Sequence, residues 1–173
     1  MRAIAVIHNG KLVAQSYGPG FSQSTPLLGW SMSKSVTAAL VGMQIGDGKL
    51  SMSQAGFWPK DSSGREAIKL SNLMAMEDGL EFNEGYGDVS DVTRMLYLEP
   101  DMAAYMQARP LAHKPGTVWN YSSGTTVFLS HVWQQAAGAK ALELPYTRLF
   151  APLNMHSAII EADARGTLVG SSY

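Results

Sequence analysis

Ser31 and Lys34 are three residues apart, in the run Gly29-Trp30-Ser31-Met32-Ser33-Lys34-Ser35. On a helix, positions i and i+3 are neighbours on one face, so the Lys34 amine can reach the Ser31 hydroxyl without long-range assembly. A serine beside an amine is a nucleophile with its base, provided that desolvation pushes the amine towards its neutral form. The chain holds 18 serines and seven lysines, so chance alone supplies about 0.7 such S-x-x-K tetrads. What distinguishes this one is its place at the first turn of the most apolar helical stretch. The free N–H groups and positive dipole there favour a developing oxyanion. The same residues also fit a plain reading, with Ser31 as an N-cap and Lys34 snorkelling off a core helix.

A second polar run, Trp119-Asn120-Tyr121-Ser122-Ser123-Gly124, follows a Pro115-Gly116 turn about 90 residues on. A free phenol titrates near pH 10, so Tyr121 can move protons near neutrality only with a cation beside it or in concert with another group. The alternative for Tyr121 is a buried aromatic with a bonded hydroxyl. The four histidines, His8, His113, His131 and His156, form no H-E-x-x-H pattern and have no Cys or second His at ligand spacing. They read as structural or surface residues, with no metal expected. There is no G-x-S-x-G elbow. Gly85-Tyr86-Gly87-Asp88 lacks the third glycine and flanking strand of a dinucleotide loop, and reads as a surface loop at the cleft edge. No cofactor is expected.

The elements that must position these groups follow from the pattern. Residues 3–7 and 12–17 are β-prone and are joined by His8-Asn9-Gly10-Lys11, a strong hairpin signal. From Ser31 to about Ile45 the pattern is helical, with Val36, Leu40 and Met43 on one stripe and Ala38, Val41 and Ile45 widening it. A helix this apolar on most sides is expected to be buried. Gly46-Asp47-Gly48 stops it. Weaker helices are expected over about 65–77, 89–97 and 100–108, a clear one over 124–138, a short one over 144–150, and a strand over 157–161. A lone two-stranded hairpin is marginal, so further strands beyond Tyr173 are expected.

Composition bounds the function classes. The 173 residues suffice for one domain with a core. A net charge of −1 gives no electrostatic case for nucleic acid. Cysteine is absent, which removes disulfides and thiol chemistry. No apolar run approaches the roughly 20 residues of a membrane helix. Met1-Arg2-Ala3-Ile4-Ala5-Val6-Ile7 does not read as a signal peptide, and the compartment stays open between bacterial periplasm and cytoplasm.

Taken in order, the Ser31 to Lys34 segment, Asp47-Gly48-Lys49-Leu50, Gly79-Leu80-Glu81-Phe82-Asn83-Glu84, and Pro115-Gly116 through Gly124 resemble the class C β-lactamase-like serine hydrolases. The branch they are most similar to contains family VIII esterases and aminohexanoate-oligomer hydrolases. The resemblance implies an α+β, β-lactamase/transpeptidase-like fold, present as an incomplete copy: one domain over 1–173, with hairpin and nucleophile helix in 1–49 and a mainly helical subdomain over 50–150. It implies an N-terminal hairpin in an antiparallel sheet, with the nucleophile helix packed on it and Tyr121 across a cleft. It implies hydrolysis of an ester, amide or peptide-like small molecule through an acyl-enzyme on Ser31, with Lys34 and Tyr121 as the activating pair. Ser123 stands where β-lactamases carry the Asn of Y-x-N; its hydroxyl can bond Lys34 or a substrate carbonyl, but lacks the amide's two donors. That shifts weight towards esterase or amidase and away from β-lactamase or D-Ala-D-Ala carboxypeptidase. A K-T-G or H-x-G strand, the family's third motif, has no match here. Loss of the oxyanion donor it supplies is expected to cost about 10²–10³ in rate, which leaves a silent ligand-binding member as an alternative.

Overall fold

The computed structural model describes residues 1–60 and 63–173. Asn9 and Gly10 adopt φ of 49° and 73°, the paired left-handed conformation that a two-residue hairpin turn demands. They join β1 (Ala3–His8) to β2 (Lys11–Tyr17), which pair antiparallel. The register runs Val6 with Ala14 and then Ile7 with Leu12, so Val13 is the extra residue of a bulge. Ile4, Val6, Ile7, Leu12 and Val13 are all exposed. The helix that follows Ser31 therefore does not cover this hairpin as expected; its apolar face turns instead to the later helices.

Helix α1 (Ser33–Gly46) is preceded by a 3-10 turn over Trp30–Met32. Its fully buried residues are Thr37, Leu40, Val41 and Gln44. The buried stripe is thus rotated from the expected one, Val36 and Met43 being only half-buried, and the remaining sides are only partly covered. Thr37 tolerates the core because its hydroxyl donates to the Gly170 carbonyl at 2.8 Å, which satisfies a buried polar group.

The stretch expected as one helix over 65–77 is broken. A 3-10 turn, Arg65–Ala67, precedes α2 (Leu70–Met74). Lys69 between them is extended (φ −94°, ψ 159°), and the Leu70 N–H bonds the Gln54 carbonyl at 2.8 Å. Met76 at φ 57° ends the helical run. Helices α3 (Asp91–Leu98) and α4 (Met102–Gln107) start at caps: Ser90 and Thr93 form a capping box, and Asp101 accepts from Ala104 N–H at 2.9 Å. Helix α5 (Ser123–Ala137) starts at Ser122, which accepts from Thr125 N–H at 3.0 Å. It is the most buried helix, and Val127, Phe128 and Trp133 pack in one core with Leu40, Leu73, Met95 and Met106.

Residues expected as a short helix near 144–150 form a π-helical segment, Pro145–Phe150, whose Arg148 pairs with Asp47 at the end of α1. The strand expected over 157–161 is absent. Ile159 is exposed, and only an isolated Ala162–Leu168 bridge and a Val169 N–H bond to the Glu161 carbonyl at 2.8 Å are found nearby. β-prone residues make a strand only where a neighbour can complete the ladder. After that bridge the chain turns inward. Gln134 on α5 bonds both the Gly166 carbonyl and the Leu168 N–H, each at 2.9 Å, and residues 167–172 are buried. The fold is α+β, with a small antiparallel sheet beside a helical body. Among the described residues no helix is long and apolar enough to cross a membrane.

Candidate active site

Ser31 lies in the 3-10 turn that leads into α1, and its side chain faces solvent. Trp30, just before it, sits at φ 46°, a conformation that costs a bulky residue about 1–3 kcal/mol. Neighbouring rings hold it there. Tyr86 meets Trp30 edge-on at 6.1 Å between centroids, Tyr173 flanks it at 5.9 Å, and the Tyr173 hydroxyl donates to that of Tyr97 at 2.9 Å. Such pairs add about 0.5–1.5 kcal/mol each. Burial, followed by the Tyr97 hydroxyl, pushes the Tyr173 phenol above its ordinary range.

Lys34 is the hub. Its Nζ donates to Ser31 Oγ at 3.0 Å, to Ser123 Oγ at 3.1 Å and to the Ser171 carbonyl at 3.0 Å. It also stands 4.9 Å from the centre of the Tyr121 ring, within range of a cation–π contact. The structure thus brings Ser31, Lys34, Tyr121 and Ser123 together. The Tyr121 hydroxyl itself has no hydrogen-bond partner among the described residues. Asn120 anchors the turn carrying Tyr121, its N–H bonding the Met76 carbonyl at 2.9 Å and its Nδ2 the Phe82 carbonyl at 3.2 Å.

Ser123 has no exposed surface. Its hydroxyl donates to Glu84 Oε1 at 2.5 Å while accepting from Lys34, and its backbone N–H donates to Glu84 Oε2 at 2.8 Å. A carboxylate at the N-terminus of α5 also meets the positive end of that helix. Tyr86 reaches Glu84 Oε1 at 3.4 Å. Burial raises the Tyr86 phenol; the nearby Ser123 hydroxyl opposes this and the Glu84 charge adds to it. The loop over 85–88 therefore does lie at the edge of the site. Asp91 braces this loop by accepting from Asn83 N–H at 2.9 Å, and is itself held by the Tyr105 hydroxyl at 2.7 Å and by Arg109 at 3.2 Å.

Ser171 and the rings around Trp30 were not legible as site residues, because each arrives from a distant loop with no motif spacing of its own; Glu84 closes the family-like run from Gly79, but nothing in that run marked it as a site residue. At Gly170 an added Cβ would fall 2.0 Å from Thr37 Oγ1 and 2.3 Å from Ser130 Oγ. Only glycine lets this segment pass between α1 and α5 and present the Ser171 carbonyl to Lys34. A surface depression lined by Lys69, Asn72, Leu111 and His113 shares no residue with this cluster.

The family model described as Beta-lactamase matches residues 2–170. Similar solved structures include a protein of Bacteroides dorei assigned as a β-lactamase (TM-score 0.71, 22% identity, covering 96% of this chain and 52% of that one). They also include a Bacillus anthracis protein assigned as a 6-aminohexanoate-dimer hydrolase (0.68, 20%, 84% and 42%) and a penicillin binding protein from Bacillus halodurans (0.62, 18%, 77% and 43%). No curated protein matches. The chain spans about half the length of these structures, and at such identities the likeness is one of fold. The match over residues 2–170 nonetheless places the chain in the Beta-lactamase family.

Proposed function

We propose that the protein is a serine hydrolase that opens an ester or amide bond through an acyl-enzyme on Ser31. The observation that carries this reading is the Lys34 Nζ at 3.0 Å from Ser31 Oγ, held by two further partners. As Ser31 Oγ bonds to the substrate carbonyl carbon, its proton passes to Lys34 and the carbonyl electrons move onto oxygen. Collapse of that oxyanion expels the leaving group, which takes a proton from the Lys34–Tyr121 pair. Water then attacks the acyl carbon and gives its proton to the same pair; the carbon–Oγ bond breaks, the pair returns that proton to Ser31 Oγ, and the acid leaves. Tyr121, with its ring against Lys34 and its hydroxyl unengaged, is the relay on the substrate side. Ser123 acts from behind Lys34, since it is buried and its hydroxyl is already committed on both sides.

Support for an esterase or amidase over a β-lactamase comes from that commitment, since Ser123 offers no amide to a substrate carbonyl. The test is intact-protein mass spectrometry after exposure to an activated p-nitrophenyl ester and, separately, to a β-lactam, on the parent and on Ser31→Ala. An ester adduct that vanishes in Ser31→Ala is expected. An adduct formed equally by both proteins, or none on the parent, defeats the reading; a stable β-lactam adduct on Ser31 moves it to the penicillin-binding branch.

A further inference from the structure

Lys34 has three polar partners, and they differ in what they can do. The Ser171 carbonyl can only accept. The Ser123 hydroxyl owns one proton, and that proton is given to Glu84 at 2.5 Å, so towards Lys34 it too can only accept. Ser31 alone is free either to accept or to donate. A neutral amine has two N–H bonds and one lone pair. Two obligate acceptors therefore take the two N–H bonds, and the lone pair is left facing the Ser31 hydroxyl.

We propose that Glu84 is a positioning residue which, by holding the Ser123 proton, aims the Lys34 lone pair at Ser31. It acts through Ser123 and makes no contact with Ser31. The inference rests on reading Ser31 as the nucleophile, and it names the group that gives the base its direction. Without the Glu84 carboxylate, the Ser123 hydroxyl could swing its proton onto the Lys34 lone pair and occupy it. The near-isosteric Glu84→Gln does more than remove the acceptor. With its carbonyl oxygen still on the Ser123 N–H, its amide nitrogen faces Ser123 Oγ as a donor and drives the hydroxyl proton round to Lys34.

Two measurements on the protein test this. The first is neutron diffraction of the deuterium-exchanged parent. The Ser123 deuteron is expected on the Glu84 side; a deuteron pointing at Lys34 overturns the proposal whatever the reaction proves to be. The second is a double-mutant cycle on the rate of Ser31 acylation by the activated ester. Glu84→Gln is expected to slow acylation about tenfold or more in the parent, and by less than about twofold in a Ser123→Ala background, where there is no hydroxyl left to aim. Equal losses in both backgrounds would mark Glu84 as a mere brace for the α5 N-terminus, and no loss in the parent would equally overturn the proposal. A parent that leaves Ser31 unmodified defeats the hydrolase reading instead, and the neutron result still decides the proton direction.

Discussion

Lys34 and Ser171 stand 137 positions apart in the chain, and the Lys34 Nζ donates to the Ser171 carbonyl at 3.0 Å. That bond depends on Gly170, whose missing side chain leaves room for Thr37 and Ser130. Gly170→Ala is expected to force the segment off α1 and α5 and to destabilise the protein by about 2 kcal/mol or more. It should also slow Ser31 acylation, since Lys34 loses a fixed acceptor. Urea unfolding and ester acylation measured on the same preparation check both; an unchanged midpoint would show that the segment is not packed as described.

Tyr121→Phe should separate stability from chemistry. The Tyr121 hydroxyl has no partner among the described residues, and the ring that faces Lys34 is kept. Stability is expected to stay within about 0.5 kcal/mol of the parent, while acylation slows by about 10²-fold or more if the hydroxyl relays protons. A variant of unchanged rate would remove Tyr121 from the proton path.

Asp91 acts at one remove. Its carboxylate holds the Asn83 N–H, the Tyr105 hydroxyl and Arg109, and so braces the loop that carries Glu84. Asp91→Ala is expected to cost about 2 kcal/mol of stability, and to raise amide hydrogen exchange over residues 83–90 more than over α5. Uniform exchange across both regions would contradict this local role.

Asp78 provides the pH signature. Burial raises its carboxyl, while the Thr125 hydroxyl at 2.6 Å and the Leu80 N–H at 2.8 Å pull it back part of the way. Its folded pKa therefore lies above the unfolded value of about 3.9. The stability it confers is full below that value and is lost as pH rises through the folded pKa. Asp78→Asn, which does not titrate, should gain stability relative to the parent as the pH is raised from about 3.5 to 7. Urea unfolding of both proteins at a series of pH values is the check, and a pH-independent difference sinks the prediction.

What could be read without coordinates was local. Ser31 and Lys34 meet because three residues separate them, and the hairpin follows from Asn9-Gly10. Tyr121 and Ser123 belong to one short run, and the resemblance pointed to them. The errors came where a neighbour decides. Residues 157–161 carry β-prone Ile159 and Ile160, but beside them lie only a single Val169 N–H bond to the Glu161 carbonyl and the isolated Ala162–Leu168 bridge, too little to build a ladder. The core stripe of α1 passes through Thr37 rather than Val36, because the Gly170 carbonyl waits on that side. Ser171 reaches Lys34, and Glu84 reaches Ser123, only through the packing of loops onto α1 and α5, which no periodicity encodes.

The 3-10 turn before α1 also governs angle. Met32 (φ −62°, ψ −28°) and Ser33 (φ −61°, ψ −23°) link Ser31 to Lys34 with 3-10-like dihedrals. At about three residues per turn, three steps complete roughly one revolution, so the two side chains eclipse along the axis. At the about 3.6 residues per turn of an α-helix they would stand some 60° apart. The local overwinding thus works as a rotational vernier: it brings the hydroxyl into line with the amine, and a single residue gained or lost between them would throw the pair out of phase by about a third of a circle.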